Sequence, residues 1–297
     1  TFDVVASSIT FNKNRTYKHD GVMVRVIANK YSRRLDVNGK GGIAGRFARR
    51  IFNRLLWQRG YWNEAGPMLA YLLRNSRKYD AIHVFGNVAV TSAAIWFAKI
   101  SKKPLIVELV NLVDNPHQYE PKIVSLVFGD RLPKKALLVC LSQALKDACL
   151  NHGYEEEQLW CRPNPVDESR FKYQADQKAF HRKRLFSAVE KTDLIILYVA
   201  KFIPRKNQLF LIDVMAFLPR NFKLVLAGPL VNDGPLAERD HGYYSDIREA
   251  IHHRSLGDRV QLIPKFINDP QDYMKAADVF AMPAEHEALG TPFLEAI

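Results

Sequence analysis

Two glutamates near the end of the sequence, Glu287 and Glu295, stand eight positions apart with a Gly-Thr-Pro turn between them. Pro292 suits the first position of a helix, and Thr291 suits its N-cap. The unpaired N–H groups at such a helix start attract an anion such as phosphate, and the helix dipole adds to this attraction. We therefore expect Glu295, about one turn into the helix, to lie at the edge of an anion site.

A carboxylate beside a phosphate is electrostatically unfavourable unless it accepts hydrogen bonds from neutral donors such as sugar hydroxyl groups. Lys201 and Lys206 follow the apolar run Leu194–Val199 and precede an amphipathic stretch. Ligands of open parallel sheets bind at such strand ends, where a lysine offers a mobile charge to phosphate. The pattern predicts a ligand with phosphate and polyol parts, which is a nucleotide sugar. The alternative is that both lysines solvate a loop and Glu295 is an ordinary early-helix acid.

Short apolar runs with β-branched residues alternate with helix-length stretches along the chain. This rhythm predicts parallel strands with crossover helices, so the fold class is α/β. At 297 residues the chain has room for two domains. The polar stretch between Phe171 and Thr192 predicts their boundary, which gives domains 1–178 and 179–297. The predicted strands are Val22–Ala28, Ala81–Phe85, Leu105–Val110, Ala136–Leu141, Leu194–Val199, Lys223–Ala227, Val260–Ile263 and Val279–Met282.

The net charge of +12 favours anionic partners, although a basic charge can also serve solubility alone. No nucleic-acid-binding motif occurs, so we expect no nucleic-acid partner. No apolar run reaches the roughly 18–20 residues that a membrane-spanning helix needs. The basic amphipathic segment Gly45–Leu56 is able to lie on an anionic bilayer, but packing against the protein's own core is the favoured interpretation.

Three other kinds of site are disfavoured by spacing. The glycines between positions 39 and 45 follow no apolar strand and do not fit G-x-G-x-x-G, which argues against a nicotinamide site. No H-E-x-x-H or C-x-x-C occurs, so we predict no metal, and three unpaired cysteines fit a reducing cytosol. No G-x-S-x-G occurs, and Ser142 is expected to cap a helix.

The sequence resembles the retaining glycosyltransferases of family four, which have the two-domain GT-B fold. The most specific part is the Glu287–Glu295 spacing with Gly290 inside it, supported by Lys206 and by Asn164-Pro165-Val166-Asp167. The resemblance implies two Rossmann-like domains facing a cleft. The N-terminal domain would lie on the acceptor side, and the C-terminal domain would bind the nucleotide sugar. The segments that carry the resemblance are 17–27, 141–171, 200–208, 223–229 and 273–297.

The resemblance also implies residue roles. Lys206 matches the lysine that holds the donor diphosphate, and Lys201 matches a position that is usually arginine. Glu287 matches the acid near the donor sugar, and we expect these three residues to be catalytic. Neither a metal nor another cofactor is expected beside the nucleotide-sugar co-substrate. The expected donor-binding residues are these three together with Glu295, which would hold the ribose hydroxyls, and Leu289, Gly290 and Thr291, whose backbone N–H groups would meet the phosphates.

Several features of the family pattern are absent. The family's first strand and glycine-rich loop are missing, as are its last strands and the helix that returns across the cleft. We therefore expect both domains to be incomplete and this fragment not to be fully competent. The family often has a histidine after the strand matching Leu105–Val110, and this chain has none there. Ala200 and Pro264 replace residues that are commonly glycine.

The resulting hypothesis is a cytoplasmic hexosyltransferase, with peripheral contact at the inner membrane face as a further expectation. It would transfer a sugar, with retained configuration, from a nucleoside-diphosphate sugar to an acceptor such as a polysaccharide or glycolipid precursor. Lys201, Lys206 and the helix start would stabilise the leaving diphosphate. The alternatives are a sugar-nucleotide epimerase of the same fold, a non-catalytic nucleotide-sugar-binding module, and a basic binder of nucleic acid or membrane.

Overall fold

The computed structural model describes residues 3–8, 14–19, 21–28, 64–85, 88–109, 136–186, 189–232, 236–285 and 287–297. The chain divides into two compact units, unit 1 (Thr1–Pro163) and unit 2 (Asn164–Ile297). The glycine cluster at 39–45, the basic segment Gly45–Leu56 and the position after Leu109 all lie outside the described residues.

Unit 1 contains two sheets. The first has the strand order β1-β3-β2, and the second has the order β4-β5-β6-β7 with all described pairs parallel. Its elements are β1 (Asp3–Ser8), β2 (Arg15–His19), β3 (Val22–Ala28), α1 (helical residues 64–74), β4 (Ile82–Phe85), α2 (Val88–Ser101), β5 (Leu105–Leu109), β6 (Leu137–Cys140), α3 (Gln143–Asn151) and β7 (Leu159–Cys161).

The core of unit 1 forms where α2 packs on the parallel sheet. Trp96 and Phe97 of α2 are almost completely buried, and so are Leu105, Val107 and Leu109 of β5. Crossover helices on a parallel sheet remove apolar side chains from water, which explains why these strands have near-continuous apolar runs. As predicted, the Ser142 side chain caps α3 and accepts a hydrogen bond from the Leu145 N–H at 3.3 Å.

Unit 2 contains one parallel sheet with the strand order β10-β9-β8-β11. The order shows that β8 lies inside the sheet, between β9 and β11. Its elements are α4 (Glu168–Phe171), α5 (Ala175–Leu185), β8 (Leu194–Val199), α6 (Gln208–Met215), β9 (Phe222–Ala227), α7 (Ala237–His253), β10 (Val260–Ile263), α8 (Pro270–Ala276), β11 (Val279–Phe280) and α9 (Thr291–Ala296).

Both faces of this sheet are buried. Successive side chains of a strand point to opposite faces, so Ile195 and Leu197 of β8 pack on one side while Ile196 and Tyr198 pack on the other. The first side is covered by Tyr273 and other residues near α8, and the second side by α6 and α7. The strand therefore contains an uninterrupted run of apolar residues instead of an alternating pattern.

The junction between the units lies earlier than the domain boundary at 178 and 179 that we inferred from the sequence. The break between the compact units follows Pro163, so α4 and the whole of α5 belong to unit 2. Arg182 of α5 donates to the carbonyl of Ala276 at 3.0 Å and forms an ion pair with Asp278. Lys178 donates to the same carboxylate at 2.7 Å. The charge-rich composition that indicated a linker thus belongs to a helix held by ion pairs.

One part of unit 1 departs from the expected parallel pairing. β2 was not predicted, and it pairs antiparallel with β3. The register joins His19 to Val22, and the sequence between these two residues is Asp-Gly. Asp-Gly is a strong hairpin signal. The apolar pattern missed this strand because Arg15, Tyr17 and Lys18 are all exposed.

Candidate functional site

The predicted site residues come from the segments that follow β8 and β11, and two of them, Thr291 and Glu295, lie in α9. These strands are parallel neighbours, with Val279 opposite Ile196 and Phe280 opposite Leu197. Neighbouring parallel strands end at the same edge of a sheet, so their following loops lie side by side. This topology places the basic segment after β8 beside the acidic segment after β11.

A close approach of two chain segments fixes the start of the first loop. The Ala200 N–H donates to the Ala227 carbonyl at 2.8 Å, and the Phe202 N–H donates to the Pro229 carbonyl at 3.2 Å. Gly228 has a φ of +148°, and a Cβ on it would lie 2.1 Å from the Ala200 carbonyl oxygen. Only glycine fits between these loops, so Gly228 determines where the segment after β8 begins.

The basic segment then forms a single 3-10 turn, Pro204–Lys206, before α6. Lys206 donates from its N–H to the Ile203 carbonyl at 3.0 Å, and Asn207 adopts a left-handed conformation with φ 53° and ψ 41°. Such a residue reverses the chain tightly. The turn therefore presents Arg205 and Lys206 in fixed positions instead of on a long mobile loop.

Both cations of this turn bind one carboxylate oxygen. Glu287 Oε1 accepts from Lys206 Nζ at 2.7 Å and from Arg205 Nη1 at 3.0 Å. The Lys206 and Glu287 side chains are largely buried, at 17% and 20% exposure, whereas the Arg205 side chain is 40% exposed. The three side chains together have a net charge of +1, so the cluster still attracts an anion.

The helix start differs from the expected arrangement. Gly290, and not Thr291, is the N-cap of α9. It adopts a left-handed conformation with φ 71° and ψ 50°. The helix Thr291–Ala296 therefore begins at Thr291, and Pro292 is its second residue. The positive φ favours glycine here, whereas the nearest atom to an added Cβ, Met282 Cε at 2.5 Å, ends a flexible side chain that can move.

Thr291 serves a different purpose from capping. Its hydroxyl Oγ1 accepts a hydrogen bond from Asn164 Nδ2 at 3.2 Å, which connects the first residue of unit 2 to α9. Leu289 and Gly290 lie just before this helix, and no hydrogen bond from their backbone N–H groups is found among the described residues. These N–H groups are therefore able to donate to a ligand, which is the role that the sequence predicts for them.

Glu295 lies in the helix and is half-buried. Burial raises the pKa of its carboxyl above the ordinary value, while the nearby Arg170 guanidinium acts in the opposite direction. The structure does not bring Glu295 into the Glu287 cluster through any hydrogen bond between described residues. A partly desolvated carboxylate without a tight cation partner suits neutral donors such as hydroxyl groups.

Unlike Lys206, Lys201 donates no hydrogen bond to Glu287 among the described residues. Its side chain is exposed and forms no ion pair within the described parts of the chain. Its carbonyl oxygen accepts a hydrogen bond from Gln208 Nε2 at 2.8 Å, and Gln208 is 99% buried in α6. The backbone at Lys201 is therefore fixed, while its ammonium group remains in solvent.

Tyr198 forms the buried floor near the cluster. Burial raises the pKa of its hydroxyl well above the ordinary value. The Glu287 carboxylate acts in the same direction, and the Arg205 guanidinium opposes it. The Tyr198 hydroxyl near the ion cluster therefore stays protonated and neutral at every physiological pH.

Sequence reasoning missed one residue of this site. Arg205 was not among the predicted site residues, although it stands directly before the predicted Lys206 in the Pro-Arg-Lys turn. The signal that could have found it is its place directly before Lys206, since a 3-10 turn holds both side chains near the neighbouring strand end.

Unit 1 contains a second shared carboxylate. Glu108 of β5 is 96% buried, and its Oε2 lies 3.1 Å from His83 Nε2 and 3.5 Å from Arg162 Nη2. His83 also packs its ring against Phe85, with centroids 4.5 Å apart. The strand after which the family often has a histidine therefore carries a glutamate, Glu108, in this chain. The histidine that contacts Glu108 is His83, which lies on the neighbouring strand β4.

No cluster in the described residues has three or more His, Cys, Asp or Glu side chains arranged to hold a metal ion. The helices within these same ranges are also too short or too polar to cross a membrane. The expectation that no metal takes part stays a prediction.

Comparison with known proteins defines the class of fold. The chain superposes on the crystal structure of Anabaena Alr3699/HepE in complex with UDP and glucose with a TM-score of 0.67 and 20% identity. The superposition covers 93% of this chain and 65% of the other. Together with the parallel sheets, this similarity establishes an α/β fold of the GT-B type with two Rossmann-like domains.

The family comparison concerns the C-terminal part of the chain. Residues 180–297 match the model of the family Glycosyl transferases group 1. This range contains the turn with Arg205 and Lys206, the loop with Glu287, and Glu295. The part of the chain that carries the candidate site is therefore the part that matches a glycosyltransferase domain.

Two curated relatives agree with this assignment. The capsular polysaccharide biosynthesis glycosyltransferase CapH of Staphylococcus aureus is 28% identical over 125 residues, which are 42% of this chain and 34% of the relative. The UDP-Gal:alpha-D-GlcNAc-diphosphoundecaprenol alpha-1,3-galactosyltransferase of Escherichia coli is 23% identical over 239 residues, 76% of this chain and 57% of the relative. The chain thus spans between about a third and somewhat over half of their lengths.

Proposed function

We propose that the complete protein is a glycosyltransferase that moves a hexosyl group from a nucleoside-diphosphate sugar to a polysaccharide or glycolipid precursor. The observation that carries the proposal is the convergence of Lys206 and Glu287 at two neighbouring strand ends, within the segment that matches a glycosyltransferase family. Lys206 would bind the diphosphate, and Glu287 would lie beside the donor sugar.

The chemistry follows from charge placement. As the bond between the anomeric carbon and the diphosphate oxygen breaks, negative charge develops on the leaving diphosphate. Lys206, the exposed Lys201 ammonium and the N–H groups of Leu289 and Gly290 would stabilise this charge in the proposed mechanism, which uses no metal ion. Glu295 would accept hydrogen bonds from the ribose hydroxyls. We further propose that the configuration at the anomeric carbon is retained.

We propose that the acceptor is linked to a lipid. The Escherichia coli relative is named for a diphosphoundecaprenol acceptor, and the Staphylococcus aureus relative for capsular polysaccharide. The net charge of +12 favours an acceptor or surface that bears phosphate. We therefore propose a cytoplasmic protein that contacts the inner membrane face while it acts.

A donor screen followed by product analysis tests this function. Nucleoside diphosphates should raise the melting temperature of the complete protein, since a ligand that binds only the folded state stabilises it. A donor labelled in its sugar should then yield a labelled lipid- or polysaccharide-linked product with the anomeric configuration of the donor. Recovery of only an epimerised nucleotide sugar, or binding with no conversion by the complete protein, would exclude transfer.

A further inference from the structure

The proposed function brings a second acceptor to Lys206, which in the structure donates to the carboxylate of Glu287. In the structure one oxygen of this carboxylate accepts hydrogen bonds from both Lys206 and Arg205. A donor diphosphate competes for the ammonium of Lys206, because phosphate oxygens are strong acceptors for lysine. Once Lys206 turns towards the phosphate, Glu287 keeps its contact with Arg205 alone.

Arg205 is connected to the loop of Glu287 in two independent ways. Its guanidinium Nη1 donates to Glu287 Oε1 at 3.0 Å, and its backbone carbonyl accepts from the N–H of Glu285 at 2.9 Å. The backbone bond fixes the distance between the turn and the loop, so the guanidinium stays near Glu287 whichever way Lys206 points. A planar guanidinium also loses little conformational freedom when it holds a carboxylate.

The burial of the carboxylate makes this contact necessary. The Glu287 side chain is only 20% exposed, and it would lie close to the negative charges of a bound diphosphate. A largely buried carboxylate next to like charges and without a cation is strongly unfavourable. A second cation that does not itself turn to the phosphate removes this penalty.

We propose that Arg205 is a positioning residue that holds the Glu287 carboxylate against the donor sugar while Lys206 binds the diphosphate. The proposal rests on the proposed function, because it assigns the sugar side of the site to Glu287 and the phosphate side to Lys206. Its consequence is a division of labour: removal of Arg205 affects recognition of the sugar, and removal of Lys206 affects recognition of the diphosphate.

The binding test compares two ligands on each variant of the complete protein. The dissociation constants of UDP and UDP-glucose, and of GDP and GDP-mannose as a second pair, are measured by calorimetry for Arg205→Ala, Arg205→Lys and Lys206→Ala. Arg254→Ala is the matched control, since Arg254, which directly follows α7, forms an exposed ion pair with Asp213 of α6. For the pair that binds, kcat and KM are measured as well.

The proposal predicts a specific pattern. Arg205→Ala should weaken binding of the nucleotide sugar about tenfold, the loss expected for one charged hydrogen bond, while binding of the free diphosphate changes less than about threefold. Its kcat should fall more than its KM rises, and Arg205→Lys should recover part of both. Arg254→Ala should resemble the wild type. Equal weakening of diphosphate and nucleotide sugar by Arg205→Ala would make Arg205 a phosphate ligand and overturn the proposal.

A thermal double-mutant cycle tests the contact between Arg205 and Glu287 without any ligand. In a Lys206→Ala background, Arg205→Ala and Glu287→Gln should be clearly non-additive in melting temperature, because each removes the same remaining contact. Additive effects would show that Arg205 does not hold Glu287 and would overturn the proposal. If none of the four nucleotides binds the wild type, the proposed function fails, and additivity in this cycle then separately determines whether Arg205 holds Glu287.

Discussion

Glu108 in unit 1 and Glu287 in unit 2 each use one carboxylate oxygen to contact two basic side chains. Glu108 lies within strand β5 and pairs with side chains from β4 and from the residue after β7. Glu287 lies in a loop beyond a strand end, and its partners come from one short turn. The first arrangement is built into a sheet, whereas the second can rearrange around a ligand.

The surroundings of the two carboxylates differ in what they leave available. Val107 and Leu109 fix Glu108 from both sides along the strand. Glu287 is followed instead by two backbone N–H groups, those of Leu289 and Gly290, that have no hydrogen-bond acceptor among the described residues. The same pairing of charges therefore predicts stabilisation in one unit and ligand binding in the other.

The largest expected effect comes from Lys206→Ala. Because hydrogen bonds between charged groups contribute about 1.5–3 kcal/mol, we expect nucleoside-diphosphate affinity to fall roughly 10- to 100-fold. Calorimetric titration measures this loss. Lys223→Ala is the control, since Lys223 lies on β9 and donates to the Asp258 carbonyl at 3.2 Å. Affinities that are unchanged in both variants would remove the phosphate role of the cluster.

Glu108→Ala tests the opposite side of the comparison. His83 and Arg162 are both more than a third exposed and can turn to water, so we expect a loss of stability of about 1–2 kcal/mol. Chemical denaturation measures this loss, and nucleotide affinity should not change. Glu156→Ala, which breaks an exposed ion pair with Lys146, should cost much less. A loss of nucleotide binding in Glu108→Ala would break the distinction between the two clusters.

Asp278 provides a structural carboxylate within unit 2 itself. Burial raises the pKa of this carboxyl, but Lys178, the Ile195 N–H and Arg182 together lower it, and the net pKa lies below the ordinary value. The stabilisation is therefore present above the unfolded pKa of about 3.9 and is lost as pH falls through the folded pKa.

We expect Asp278→Asn to lower stability by about 1 kcal/mol at pH 7 and to flatten the acid limb of the stability curve. Thermal melts between pH 2 and pH 7, recorded in steps of roughly half a unit, measure both effects. Asp213→Asn removes a more exposed ion pair and serves as the matched variant. An unaltered acid limb in Asp278→Asn would mean that the ion pairs of α5 contribute nothing.

Glu295→Gln gives the smallest expected effect and the opposite sign for stability. Because burial raises the pKa of Glu295, its contribution to stability is full below the unfolded pKa and is lost as pH rises through the folded pKa. The neutral amide should therefore keep or slightly raise the melting temperature at pH 7. Nucleoside-diphosphate affinity should fall a few-fold, because an amide oxygen is a weaker acceptor for ribose hydroxyls. Glu249→Gln, exposed on α7, should change neither quantity.

The sequence was most informative about unit 2. The apolar runs predicted β8 and β10 with correct bounds. β8 is apolar throughout because both of its faces are buried, whereas the edge strand β10 contains one exposed polar residue, Gln261. Lys206 and Glu287 were predicted as one site because their segments follow two predicted strands. The short charged strand β2 was not found because its exposed side chains lack the apolar signal, and the edge strand β7 was not found because it is only three residues long.

What the sequence alone determined is the class of fold, the segments that follow each strand, and the residue types suited to a diphosphate and a sugar. The tertiary structure decided which of these residues meet. It placed β11 beside β8, which brings Arg205 to Glu287 across 82 positions of the chain. It also made Gly290 the helix cap and gave α5 to unit 2. Local patterns record whether a residue is buried, but pairing between distant strands depends on the packing of the whole sheet.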